Sequence, residues 1–155
     1  EKPPIITLEQ AKLEKTLLCA PKTMSQGDFT TTIKHSTHIV EGEISIGGQE
    51  HFYLEGQAAL ALPKEGRDIQ IYVSSQHPTE VQHKVADVLG LPLHNVTIEV
   101  RRMGGAFGGK ESHANLPACI VSIAAHKTCR PCKLVFDCAD DFIITGKRHV
   151  FFTSL

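Results

Sequence analysis

Apolar residues at Val81, Val85, Val88 and Leu89 fall at i, i+4, i+7 and i+8, the stripe of one helix face. Pro78 just before them suits a first helical turn, and Gly90 stops the run. A second helical pattern covers Leu116 to Lys127, mostly apolar from Ala118 to Ala125. Between and around these lie short strand-like runs. Val40 to Ile46 alternates apolar and polar, as a half-buried strand does. His51-Phe52-Tyr53-Leu54 and Ala58 to Leu62 read as two more strands, the second closed by Pro63. Ile69 to Ser74, Val96 to Val100 and Lys133 to Asp137 complete the set, and Asp140 to Ile144 fits either helix or strand. Near the start, Thr7 and Gln10 form a reciprocal cap for a helix over Leu8 to Leu17. Pro21 to Thr32 reads as loop. The last residues before Leu155 read as a strand.

From Ile69 the order is strand, helix, strand, helix, strand. This predicts an α+β or α/β fold: a mixed sheet with a βαβαβ segment over about 69–137 and helices packed on the sheet. Residues 1–37 form a lead-in segment, and 38–155 form a single domain. Ligands in such folds gather at the carboxyl ends of strands. Gln76 and the segment 104–111 each lie just past a strand end and just before a helix, so neighbouring strands would make them face each other.

With 155 residues, 41% apolar and 21% charged, the chain can build a core without staples. A net charge of −1 with neutral histidines argues against nucleic acid and against a charged membrane surface. No apolar run approaches the roughly 20 residues of a membrane span. Glu1-Lys2-Pro3-Pro4 shows no secretory h-region, and five cysteines then read as reduced thiols in a cytoplasmic protein.

The chemistry concentrates in Arg101-Arg102-Met103-Gly104-Gly105-Ala106-Phe107-Gly108-Gly109-Lys110-Glu111. Four glycines around one phenylalanine let the backbone take positive φ and approach a ligand closely. A helix downstream turns its free N–H groups toward the loop, so the segment suits an anion. Gly104 followed by four residues and Gly109-Lys110 matches the start of a phosphate-binding loop. Glu111 stands where a hydroxyl should hold Mg²⁺, which weighs against a nucleotide. A plain strand-to-helix turn is the bland alternative, but four glycines exceed what a turn needs.

Cys129-Arg130-Pro131-Cys132 with Cys138 lacks the second pair of a structural zinc site and sits at a helix end, not at a strand-to-helix junction. Buried, unpaired cysteines are the expectation. The nine histidines lack partners at metal spacing. Arg101 and Arg102 either reach an anion or solvate a strand end. Glu111 either caps the downstream helix or contacts a substrate.

Four motifs occur in order: Gly47-Gly48-Gln49-Glu50-His51-Phe52-Tyr53-Leu54-Glu55, Val73-Ser74-Ser75-Gln76, Arg101 through Glu111, and Ile144-Thr145-Gly146-Lys147-Arg148-His149. Together they resemble the molybdenum-binding region of xanthine dehydrogenases of the bacterial type, in the molybdenum hydroxylase family. The likeness runs from about Ile5 and is strongest from Val40 to His149. Ala106 departs from a usual glycine and Val150 from a common proline. Cys129, Cys132 and Cys138 depart from a glycine, an apolar and a charged residue.

The resemblance implies a molybdenum–molybdopterin cofactor, held without direct side-chain ligation by neutral hydrogen-bond donors. Gln76 matches the glutamine whose amide meets an oxygen on the metal. Phe107 and Gly108 match positions whose N–H groups approach the metal's ligands, and Gly104 and Gly105 supply the turn. Glu111 matches a substrate-contacting glutamate and favours a purine, hypoxanthine or xanthine, over an aldehyde. The implied partners are the remainder of the molybdenum subunit and the FAD and 2Fe-2S modules. The general base and the aromatic pair that sandwiches the purine come from later sequence in the family. The chain therefore reads as an incomplete molybdopterin-binding domain, a fragment without hydroxylase activity in isolation. The competing expectations are a non-catalytic partner-binding or homo-oligomerising module and, less favoured by the residues, a P-loop-like nucleotide binder.

Overall fold

The structure, a computed structural model, describes residues 3–155. Of the lead-in, Glu1 and Lys2 lie outside the described residues. Two compact units are present, the smaller ending at Gly42 and also taking in Leu155, the larger spanning Glu43–Ser154.

In the smaller unit, α1 (Leu8–Leu13) carries the expected reciprocal cap: Thr7 Oγ1 accepts the Gln10 N–H at 3.2 Å and Gln10 Oε1 accepts the Thr7 N–H at 3.3 Å. The helix is shorter than the pattern predicted, and Lys15 beyond its end adopts φ +51°. The expected loop over 21–32 holds for residues 21–28 and then gives way to a helix, α2 (Phe29–His35). Asp28 caps it, accepting the Thr31 N–H at 3.1 Å and the Thr31 hydroxyl at 2.6 Å. The threonines that suggest loop in sequence are here held by that cap. Neither helix contains a buried residue.

In the larger unit, β1 (Glu43–Ile46) pairs antiparallel with β6 (Phe151–Ser154), the strand expected before Leu155. All four β1 residues are exposed, so the half-buried alternation expected from Val40 is not realised. His51–Leu54 is not a strand. Phe52 takes φ +52°, which breaks an extended path, and its ring stacks on Phe142 at 5.7 Å.

A four-stranded sheet orders β4 (Val96–Glu99), β3 (Ile69–Val73), β2 (Ala58–Pro63) and β5 (Cys132–Val135). β3 and β4 are parallel, joined through α3 (Pro78–Leu89), as the periodicity predicts. The second crossover, through α4 (Asn115–Thr128), carries the chain to the opposite edge. There β5 pairs antiparallel with β2, which itself runs antiparallel to β3. The mixed sheet is thus a parallel frame with β2 inserted against it.

The core lies between one sheet face and the two long helices. Ala59, Ala61, Ile69, Ile71, Val73 and Val96 meet Val81, Val85, Ala118, Val121 and Ala125. Each buried Val or Ile contributes roughly 1.5–3 kcal/mol of transfer free energy. Small residues Ala118, Ser122 and Ala125 form the buried line of α4, and Ser122 Oγ donates back to the Ala118 carbonyl at 2.6 Å. Gly90 ends α3 in the left-handed conformation, as expected of a helix stop.

The ambiguous stretch after Asp137 is a helix, α5 (Cys138–Ile144), with Asp137 as its cap at 2.8 Å from the Asp140 nitrogen. The expectation of buried cysteines fails. All five are free, Cys19, Cys129 and Cys138 are exposed, and Cys119 and Cys132 are half-buried. Cys129 occupies the left-handed position that ends α4, where glycine is usual, and Cys138 opens α5 at the surface.

Candidate functional site

Because β3 and β4 are parallel neighbours, their carboxyl ends lie side by side. From β3 the chain runs through Ser74 and Ser75 into Gln76; from β4 it enters the glycine loop. The two segments touch. Gln76 Oε1 accepts the Gly108 N–H at 3.1 Å and the Lys110 N–H at 3.3 Å. The Gln76 N–H donates to the Lys110 carbonyl at 2.9 Å, and the buried Ser75 hydroxyl donates to the same carbonyl at 3.2 Å.

Beneath the loop, Lys110 is fully buried. Its ammonium donates to Glu55 Oε2 and to Ser74 Oγ, both at 2.9 Å, and lies 4.8 Å from the centre of the Tyr53 ring. Glu55 Oε2 also accepts the Gly104 N–H at 2.9 Å and the Ser74 hydroxyl at 2.7 Å. Burial acts to raise the Glu55 carboxyl pKa, but the Gly104 N–H, Ser74 and Lys110 outweigh it, and the net displacement is downward. A second buried cluster stands beside it. Asp141 accepts the Tyr53 hydroxyl at 2.7 Å, the Thr145 hydroxyl at 2.7 Å and the Gln57 N–H at 2.6 Å. The Gln57 amide nitrogen donates to the Gly109 carbonyl at 2.9 Å, linking this cluster to the loop. Burial, then Asp141, pushes the Tyr53 phenol pKa up.

The glycines have specific work here. Gly108 sits at φ +93°, which a side chain would strain. A Cβ on Gly109 would stand 2.7 Å from the Tyr53 ring and 2.8 Å from the His51 ring. Phe107 adopts φ +52° although it is not glycine, and the residue is 75% exposed.

The structure therefore gathers Gln76, Gly105, Phe107 and Gly108 into one place. The Gly108 N–H is engaged by Gln76, so it is not a free donor. Gln76 Nε2 and the Phe107 N–H are without a hydrogen-bond partner among the described residues, as are the Gly105 and Ala106 N–H groups of the same loop. These donors are neutral, and the Lys110 ammonium of the loop is turned inward onto Glu55, while Lys147 and Arg148 line a cavity together with Phe107. Such a donor set fits an anionic group bound by hydrogen bonds. Among the described residues no three His, Cys, Asp or Glu side chains converge to ligate a metal directly.

Glu111 is exposed, with its N–H on the Gly108 carbonyl at 3.4 Å. Its helix-capping alternative fails, since α4 begins at Asn115 and has no acidic residue in its first turn. The nucleotide reading also loses its lysine: an ammonium that is 0% exposed and bonded to Glu55 cannot reach phosphates. Arg101 solvates the strand end, donating to Glu99 at 2.8 Å and lying over the Tyr72 ring.

Reading the sequence alone leaves out the structural partners Glu55, Ser74, Lys110, Gln57 and Asp141. Their signal is slight, because the pairing spans up to 88 positions, as between Tyr53 and Asp141.

A family model for the molybdopterin cofactor-binding domain matches residues 11–155. Xanthine dehydrogenase from Calliphora vicina is 44% identical over 151 residues, 97% of this chain and 11% of that protein. Aldehyde oxidase 2 from Rattus norvegicus is 42% identical over 154 residues, 99% of this chain and again 11% of that protein. Among solved structures, the aldehyde oxidoreductase of Desulfovibrio desulfuricans superposes with a TM-score of 0.71 at 26% identity, covering 83% of this chain and 14% of that one. The chain thus spans about a ninth of the length of these curated relatives. With the match running through both strand ends and the loop between them, the chain belongs to the molybdopterin cofactor-binding domain family of molybdenum hydroxylases.

Proposed function

We propose that this chain forms part of the molybdenum-cofactor wall of a xanthine dehydrogenase-like oxidoreductase that hydroxylates hypoxanthine or xanthine. The supporting observation is the lock between Gln76 and the loop. With Oε1 holding the Gly108 and Lys110 N–H groups, the side-chain nitrogen of Gln76 is left as a donor beside the free Phe107 N–H. Molybdenum–molybdopterin, when bound, supplies the redox chemistry of hydroxylation. The chain's own residues orient that anionic group with neutral donors at little desolvation cost.

Glu111 projects from the same loop as an unpaired, exposed carboxylate. It is suited to accept an N–H from a heterocycle and to hold it in register. The remaining binding and proton-transfer groups belong to the rest of the molybdenum subunit, and electrons leave through FAD and 2Fe-2S partners. The isolated chain is accordingly inactive in this reading.

The likeness to rat aldehyde oxidase 2 favours a second reading, in which the substrate is an aldehyde and Glu111 is idle. The two separate in one experiment. Full-length protein containing this chain is assayed for molybdenum by elemental analysis and for dye reduction with xanthine and with an aromatic aldehyde. Molybdenum with xanthine turnover supports the purine reading; molybdenum with aldehyde turnover alone selects the second; absence of molybdenum defeats both.

A further inference from the structure

We infer that Glu55 and Lys110 are a positioning pair: one carboxylate oxygen staples both ends of the glycine loop and thereby sets the orientation of Gln76. The inference rests on the cofactor-binding reading for its purpose, but its geometry stands apart from it.

Glu55 Oε2 receives three donors from two other segments. Gly104 N–H comes from the loop's entrance at 2.9 Å, the Lys110 ammonium from its exit at 2.9 Å, and the Ser74 hydroxyl from the end of β3 at 2.7 Å. The Glu55 N–H returns a bond to the Gly104 carbonyl at 3.2 Å, so the entrance is gripped from both sides. At the exit, the peptide of Lys110 is the one that meets Gln76. Its N–H donates to Gln76 Oε1, and its carbonyl accepts the Gln76 N–H. Moving the ammonium moves that peptide, and with it Gln76. Lys110 has no exposed surface through which to touch a ligand, so its effect runs through Gln76 and Gly108. A buried ammonium also tolerates no loss of its carboxylate, since an unpaired buried charge is heavily penalised. This makes the loop's shape conditional on the pair, whereas the hydrophobic core on the helix side of the sheet does not contain either residue.

The test is residue-level hydrogen–deuterium exchange on the full chain, comparing the parent with Glu55→Gln, Lys110→Met and the double variant. Exchange at the Gly108, Lys110 and Gln76 amides is expected to rise about tenfold or more in each single variant, the scale of one lost charge-assisted hydrogen bond. The double variant should loosen the loop less than the two single effects multiplied together. Val85 and Ala86 in α3 serve as internal references and should keep their parental rates, a pattern that general destabilisation would not give. Glu55→Gln keeps a neutral acceptor for Gly104 and Ser74, so it carries the test if Lys110→Met does not fold. Unchanged exchange at Gly108 and Gln76, or loosening that tracks the α3 references, overturns the pair. Molybdenum content of the full-length Glu55→Gln protein is then read separately. A tenfold fall supports the purpose assigned to the staple; parental content with a loosened loop defeats that purpose and leaves the staple itself standing, whereas absence of molybdenum from the parent as well defeats the proposed function.

Discussion

Gln76 Oε1 lies 3.1 Å from the Gly108 nitrogen, and that contact decides which end of the Gln76 amide is left for a ligand. An acceptor that already serves two loop N–H groups must be the oxygen, which leaves the nitrogen as donor. Gln76→Glu separates the two jobs. The carboxylate still accepts from Gly108 and Lys110, so the fold should persist with a Tm within a few degrees of the parent. The outward donor is lost and a negative charge faces the proposed anion. In the full-length protein, kcat should fall on the order of 10²–10³, the usual effect of removing one oriented donor. Thermal melts alongside steady-state turnover check both halves, and parental turnover would show that the amide nitrogen is not used.

Glu55 makes the loop sensitive to acid. Its carboxyl pKa is displaced downward from the ordinary value of 4.5 in the folded chain. A group held below its unfolded value stabilises the fold fully above that value and loses the contribution as pH falls through the lower, folded one. The stability gap between the parent and Glu55→Gln should therefore be constant above about pH 5.5. It should begin to close below about pH 4.5 and vanish in stronger acid. Urea denaturation at stepped pH measures the gap. A gap that widens toward acid would mean that the carboxylate is not the stabilising form.

Gly109 has no room for a methyl group. Its Cβ would meet two rings, Tyr53 at 2.7 Å and His51 at 2.8 Å, on a peptide whose carbonyl is held by Gln57. Gly109→Ala should cost about 1–3 kcal/mol through forced displacement of packed groups. Gly108→Ala meets nothing within 4 Å and should be penalised only for its φ of +93°. Chemical denaturation of the two variants measures each loss, and parental stability in Gly109→Ala would mean that the two rings give way without cost.

How much of this was legible beforehand follows from the range of the forces. Pro78, Gly90 and the valine stripe place α3 because caps and helix periodicity act within a few residues. Gln76 and the loop are seen to converge because two parallel neighbours share an end. The insertion of β2 between β3 and β5 is not visible, since strand pairing across 71 positions, as between Ala61 and Cys132, leaves no local trace. Lys110 misleads for the same reason. In sequence it imitates a phosphate-binding lysine, and only its contact with Glu55, 55 positions earlier, shows it to be structural. His51–Leu54 looks like a strand because its residues favour one, but Phe52 is drawn to left-handed φ while its ring stacks on Phe142.

Under the proposed function, the choice between purine and aldehyde turns on Glu111. Its carboxylate is exposed and contributes no bond to the fold among the described residues, so Glu111→Ala should change stability by no more than about 0.5 kcal/mol. If it pins a purine, its loss removes a charge-assisted hydrogen bond to the ring and lowers kcat/KM for xanthine by about 10–10². An aldehyde offers no ring N–H at that point, so its kcat/KM should hold or rise as space opens. The measurement is steady-state turnover of both substrates by full-length parent and variant. A parallel fall for both would place Glu111 in the support of the loop rather than in contact with the substrate. No change for xanthine would remove it from the site.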